Sequence, residues 1–173
     1  MIHPTAADIL KTIDATLAAQ VAPALDSLDG QSAVATIRHL LRLVLVRIED
    51  EGQNLIDEIS ALRRLLPSVG DYLRSTGSGM EQRRRIDAAL ADAVAGDAGD
   101  ARYPTLEALA ECLSGLREAL YQALKTLQAL RPERQEQPEY RAVRAAIREY
   151  IVWQNEQERK LIAPAFYGQG PRR

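Results

Sequence analysis

The sequence is poor in the residues that disulfides, zinc sites and β-sheets require. It has one cysteine, Cys112, and two histidines among 173 residues. A single cysteine excludes an internal disulfide framework and a cysteine-based zinc site. One phenylalanine and eight valines leave few of the aromatic and β-branched residues that favour strands. These absences favour a helical protein.

The sequence also lacks an excess of charge of one sign and a long apolar run. Its 22 Lys and Arg residues face 24 Asp and Glu residues, which gives a formal net charge of -2. Nucleic acids and anionic membranes require a strongly positive surface. Arg38, Arg42 and Arg47 interrupt the longest apolar stretch well short of the ~20 residues that span a bilayer. Residues 1–4 have neither the basic nor the apolar region of a typical export signal, so we do not expect export. We therefore expect a cytoplasmic protein that binds neither nucleic acid nor membrane.

Apolar residues recur at steps of three and four in five segments, which is typical of amphipathic helices. The fourth segment has the most regular pattern, with heptad spacing over more than three repeats from Leu106 to Leu130. The sequence predicts an all-α protein, an antiparallel helical bundle of four long helices and one shorter helix. We expect one domain over residues 1–164 and a C-terminal tail over residues 165–173.

Glycine and proline residues predict where these helices end. The second helix is expected to begin near Ser32 and to end at Pro67, with residues 67–79 forming a loop. Gly52 is its weak point, where a kink is favoured over a break. Pro132 and Pro164 are expected to end the fourth and fifth helices.

No residue pattern indicates an enzyme. A di-iron bundle needs Glu-x-x-His pairs, and neither His3 nor His39 has a glutamate three residues before it. The sequence also lacks the glycine-rich loops that bind nucleotide phosphates and the β-strands that precede such loops. The sequence predicts no catalytic residue, no metal and no cofactor.

One cationic group breaks the apolar first half of the second helix. Arg38 and Arg42 are neighbours on the helix surface and repel each other, so an acidic group should face them. Ion pairing with another helix is favoured. The alternative is a ligand-binding site for an anion or small molecule in a pocket between helices, lined by Arg38, His39, Arg42 and Glu49.

Five of the eight aromatic residues lie in the last helix and the tail. Core packing accounts for most of them, and a protein–protein interface is the alternative, because tryptophan and tyrosine are frequent interface anchors. The candidate interface residues are Tyr150, Trp153, Phe166 and Tyr167.

Three short segments resemble an uncharacterised bacterial all-helical domain family. Residues 4–10 are similar to its opening Pro-x-Ala-x-Glu-Leu-Leu, residues 21–25 to Val-x-Pro-x-Leu, and residues 47–52 to Arg-Glu-x-Glu-x-Gly. Genes of this family lie beside those of aminoglycoside-phosphotransferase-like kinases and acyl-CoA dehydrogenases. The resemblance implies an accessory role beside a partner enzyme and assigns no catalytic residue.

These observations favour a non-enzymatic helical protein that acts through protein–protein contact. A surplus of apolar helix surface on the second helix and near Trp153 predicts a homo-oligomer, a dimer in the simplest case. The alternative is the ligand-binding or enzymatic bundle with the pocket near Arg38, His39 and Arg42.

Overall fold

The structure is a computed structural model that describes residues 4–77, 79–98 and 104–166. Every regular element in these residues is helical, which confirms the all-α prediction. The first element continues beyond its α-helical part as a π-helical turn (Leu17–Val21) and a 3-10 turn (Ala22–Ala24). The α-helices are α1 (Ala6–Thr16), α2 (Leu28–Ser75), α3 (Met80–Ala98), α4 (Leu106–Arg134) and α5 (Pro138–Phe166).

Two of these helices begin where the sequence predicts, because a threonine caps each one. The Thr5 hydroxyl accepts the backbone N–H of Asp8 at 3.1 Å, and the Asp8 carboxylate accepts the backbone N–H of Thr5 at 3.0 Å. Thr105 accepts the backbone N–H of Ala108 at 3.1 Å. Each cap satisfies a backbone donor that lacks a partner within the helix.

Helix α2 is longer than the sequence predicts. It begins at Leu28, passes through Gly52 without a break, and continues through Pro67 to Ser75. The prediction of a loop over residues 67–79 is therefore wrong for its first nine residues. A proline inside a helix costs about 3 kcal/mol. Buried leucine and valine side chains on both sides of Pro67 offset that cost, namely Leu62, Leu65, Leu66, Val69 and Leu73.

Helices α4 and α5 also continue past the prolines that were expected to end them. Helix α4 includes Pro132 and ends at Arg134, and α5 ends at Phe166, two residues beyond Pro164. A proline near the end of a helix removes one hydrogen bond of the last turn, where the helix has few bonds left to lose.

The chain divides into two compact units. Unit 1 comprises Met1–Gly52 and Glu156–Arg173, and unit 2 comprises Gln53–Asn155. Both α2 and α5 supply residues to both units. The expectation of a single domain over residues 1–164 stays a prediction.

Unit 2 is an up-and-down bundle of four antiparallel helical segments. The Tyr140 hydroxyl, at the start of α5, donates to the Leu127 carbonyl near the end of α4 at 3.0 Å, so these helices run in opposite directions. The rings of Tyr72 and Tyr140 lie 6.2 Å apart, which joins the end of α2 to the start of α5. Arg83 of α3 bonds Asp71 of α2 at 2.6 Å. This arrangement confirms the antiparallel helical bundle.

The core of unit 2 consists mainly of aliphatic side chains. The predicted heptad positions of α4 are buried from Leu113 to Leu127, whereas Leu106 is exposed. The largest fully buried side chains come from all four segments: Leu62, Leu66, Val69, Leu73, Ile86, Leu116, Leu127 and Ile147.

Unit 1 has a much smaller core. Helix α1 runs antiparallel to the first half of α2, since Asp14 contacts Arg38 and the earlier residue Lys11 contacts the later residue Glu49. Among the described side chains of unit 1, Val34 is the one buried apolar residue.

Two glycines should respond in opposite directions to the same substitution. A Cβ atom on Gly79 would lie 2.6 Å from the Leu73 Cβ and 2.7 Å from the Leu73 carbonyl oxygen, whereas one on Gly115 meets nothing within 4 Å. We expect Gly79→Ala to destabilise the fold by about 1–3 kcal/mol. Gly115→Ala, inside α4, should stabilise it by about 0.5–1 kcal/mol. Urea denaturation measures both, and shifts of the same sign would contradict this packing.

Candidate interaction surface

Two arginines of α2 converge on one carboxylate of α1. The Arg38 Nε donates to Asp14 at 2.7 Å, and the Arg42 Nε lies 3.6 Å from the other Asp14 oxygen. This confirms that an acidic group faces the two arginines. The hydrogen bond from Arg38 is the main reason that the pKa of Asp14 is lowered, and burial opposes the shift. The pair fixes the register of α1 on α2.

The two other residues proposed to bind a ligand, Glu49 and His39, do not join Arg38 and Arg42 at Asp14. Glu49 is exposed and accepts a hydrogen bond from Lys11 Nζ at 3.3 Å, about two turns beyond Arg42. His39 is half-buried on α2. The structure thus brings Arg38 and Arg42 together at Asp14 and does not bring Glu49 to them. The ligand-binding role of the four residues stays a prediction.

One row of exposed apolar side chains runs along α1 and another along the first half of α2 in unit 1. Each of these side chains exposes 42–57% of its surface, which is high for large apolar residues. We call this set the apolar face: Ile9 and Ile13 of α1, and Ile37, Leu40, Val44 and Ile48 of α2.

The two rows lie on the same side of the helix pair. Ile13 immediately precedes Asp14, which contacts α2, and Ile37 and Ile48 immediately precede Arg38 and Glu49, which contact α1. One residue corresponds to about 100° of rotation. In each helix, the apolar residue therefore points about 100° away from the residue that contacts the other helix. Because α1 and α2 are antiparallel, this offset directs the side chains of both rows toward the same side of the pair. The apolar face is therefore continuous across α1 and α2.

A buried carboxylate in unit 2 was not found by sequence reasoning. Glu58 of α2 is 8% exposed. It accepts two hydrogen bonds from Arg117 of α4, at 2.7 and 2.8 Å, and one from the Tyr150 hydroxyl of α5 at 2.7 Å. The sequence did contain one sign of this burial, because Glu58 stands among the apolar positions Leu55, Ile59 and Leu62.

This cluster changes the titration of its members. Burial, together with the hydrogen bond to Glu58, raises the pKa of Tyr150. The hydrogen bonds to Glu58 likewise raise the pKa of Arg117. Tyr150 is therefore neutral and Arg117 is charged at neutral pH, so the cluster is a satisfied ion pair that connects α2, α4 and α5.

The aromatic residues of α5 divide between the core and the part of the chain that the structure does not describe. Tyr150 is buried and its ring lies 6.2 Å from that of Trp153, which packs half-buried against the core of unit 2. Both residues therefore pack in or against the core of unit 2, and their interface role stays a prediction. The Phe166 side chain and Tyr167 lie outside the described residues, so their interface role stays a prediction.

The described residues contain neither a group suited to hold a metal ion nor a helix that could span a membrane. Within residues 4–77, 79–98 and 104–166, no three His, Cys, Asp or Glu side chains are grouped so that they could hold a metal ion. None of the helices in the same residues is apolar over enough of its length to cross a bilayer. No protein-family model, curated protein or solved structure matches the chain.

The substitution Asp14→Asn tests the ion pair between α1 and α2. We expect it to lower the free energy of unfolding by roughly 1–3 kcal/mol at pH 7, because two arginines lose a charged acceptor. The pKa of Asp14 is below its usual 3.8 in the folded protein. The stabilisation is thus complete above about pH 3.8 and is lost as the pH falls through the lower, folded value.

Urea denaturation between pH 3 and 7 measures this difference. The matched control is Asp26→Asn, which changes an exposed aspartate and should shift stability by less than about 0.5 kcal/mol. Equal effects of the two variants, or a loss of the difference at rising pH, would contradict the role of Asp14.

The substitution Tyr150→Phe tests the buried cluster of unit 2. It removes a hydrogen bond to a charged acceptor and should cost roughly 1.5–3 kcal/mol. Tyr121→Phe, at an exposed tyrosine of α4, is the control and should be neutral. Since the folded pKa of Tyr150 is raised above 10.0, the wild type should lose stability as the pH rises above that value. The Tyr150→Phe variant should lose less stability over the same pH range. If its stability fell as steeply with pH as that of the wild type, Tyr150 would not be the group that titrates.

Proposed function

We propose that this protein is a non-enzymatic interaction module whose apolar face binds the same face of a second copy. The observation that carries the proposal is the contrast between the two units. Unit 2 has a core of completely buried aliphatic side chains, although it also exposes some, among them Leu106 and Val152. Unit 1 buries Val34 and leaves six large aliphatic residues exposed on one side. Contiguous apolar surface of this kind marks interaction sites on soluble proteins.

The dimensions of the apolar face suit the centre of a protein interface. From Ile37 to Ile48 the row on α2 is about 17 Å long, and two helices side by side are about 20 Å wide. The face therefore covers on the order of 300 Å². A standard interface buries ~800 Å² per partner and consists of an apolar centre inside a polar rim, so the apolar face would supply the centre of such an interface.

The shape of this surface favours a second copy as its occupant. Helix α1 and the first half of α2 form an antiparallel pair with one apolar side, and the end of α5, the third helical segment of unit 1, supplies no residue to the apolar face. A two-fold axis through the apolar face would place a second such pair against it and form a four-helix contact like the bundle of unit 2.

The charges around the apolar face also suit an identical partner. Asp14 is paired with Arg38 and Arg42, and Lys11 with Glu49, within one chain. Arg47 pairs with Glu51 at 3.1 Å. A rim whose charges are already paired lets two copies approach without strong repulsion between like charges.

The accessory role is part of the proposal and is supported by the resemblance of residues 4–10, 21–25 and 47–52 to the family described above. In this view the dimer would present its remaining surface to a partner enzyme.

The substitution Val44→Glu tests the dimer. Light scattering coupled to size exclusion at micromolar concentration should give twice the chain mass of 19.1 kDa for the wild type. A glutamate at Val44 would bury an unpaired charge at the centre of the contact, so this variant should be monomeric.

Val152→Glu is the matched control. Val152 is a valine of α5 in unit 2 that is 54% exposed, against 43% for Val44. This variant should remain dimeric. A monomeric wild type would overturn the proposal, and dissociation caused by Val152→Glu alone would move the interface to α5.

A further inference from the structure

The end of α4 and the first turns of α5 line an open cationic pocket in unit 2. Its volume is about 360 Å³, at the lower end of the range for small-molecule sites. Four of its six lining residues are arginines, and the others supply an aromatic and a methyl surface: Arg131, Tyr140, Arg141, Arg144, Ala145 and Arg148.

The arginines share one surface because of their spacing. Arg141, Arg144 and Arg148 follow steps of three and four on α5, so they lie on one side of the helix. Arg131 lies in the last turn of α4. The Tyr140 hydroxyl is already bonded to the Leu127 carbonyl, so this residue contributes its ring to the wall.

Most of this positive charge has no partner among the residues that the structure describes. Arg141 bonds the Glu136 carboxylate and the Gln135 carbonyl. In the part of the chain that the structure describes, no carboxylate pairs with Arg131, Arg144 or Arg148. Glu149, the acidic residue next to Arg148, lines a separate groove with Arg64 and Trp153.

Two other groups of arginines in the described residues face carboxylates. Arg38 and Arg42 share Asp14, and Arg83 contacts both Asp71 and Asp87. Like charges three or four residues apart on a helix destabilise it. The positive end of the α5 dipole adds to the repulsion near Arg141. A bound anion would remove both costs.

We propose that this pocket binds a small, multiply charged phosphate anion, a di- or triphosphate group. Guanidinium groups bind phosphate oxygens through paired hydrogen bonds. The row from Arg141 to Arg148 is about 10 Å long, which is longer than one phosphate needs and too short for an extended polynucleotide. The net charge of -2 also disfavours nucleic acid.

Calorimetric titration of the full chain with inorganic triphosphate tests the proposal. The test variant is Arg144→Gln with Arg148→Gln, which should bind triphosphate roughly tenfold or more weakly than the wild type. The matched control is Arg74→Gln with Arg159→Gln, which removes two exposed arginines outside the pocket and leaves the affinity unchanged. Arg144→Lys with Arg148→Lys keeps the charge and should give intermediate affinity.

Three results would overturn the proposal. The first is that the wild type does not bind triphosphate at millimolar concentration. The second is that the control variant loses as much affinity as the test variant. The third is that a single-stranded oligonucleotide binds more tightly than triphosphate. Far-ultraviolet circular dichroism checks that each variant is folded. If the double variant does not fold, the single change Arg148→Gln at an exposed position carries the same expectation with a smaller loss.

Discussion

A helix that is apolar on several sides needs neighbours on several sides, and α2 has this requirement along much of its length. In unit 2 the requirement is met, since Leu62, Leu66 and Leu73 are completely buried. In unit 1, α1 covers one side of α2, and the adjacent side has no neighbour among the described residues over Val44 and Ile48, which are exposed. The same property of one helix thus gives a closed core in one unit and an apolar face in the other.

Glu58 gives the closed core of unit 2 a defined register. Packing of leucines alone tolerates sliding, because one leucine fits the place of another. Sliding α2 by one turn would move Glu58 about 5.4 Å away from Arg117 and Tyr150. A buried carboxylate without donors is costly, so this cluster favours a single alignment of α2, α4 and α5. Asp14 has the corresponding function in unit 1, where it aligns α1 with Arg38 and Arg42.

The parts of the fold that depend on neighbouring residues in the sequence could be predicted from it. The caps at Thr5 and Thr105 and the buried heptad positions of α4 are of this kind. The helix end expected at Pro67 was wrong because packing between helices outweighed the local preference of proline. The end expected at Pro132 was wrong because this proline lies in the last turn of α4, where it removes few hydrogen bonds. The ion pairs joining Glu58 to Arg117, 59 residues apart, could not be predicted, since no local pattern indicates which residues meet across helices.

The balanced net charge conceals an uneven distribution of charge over the surface. On the sequence alone, a value of -2 argued against anionic partners of large size, and that argument concerns the average over the whole chain. The folded protein pairs several of its arginines with carboxylates of other turns or helices, as at Asp14, Asp71 and Glu58. Pairing some arginines in this way leaves positive charge concentrated where carboxylates are lacking, at Arg144 and Arg148. A small anion responds to that local field, whereas a polymer responds to the whole surface, so a nearly neutral protein can bind the first without attracting the second.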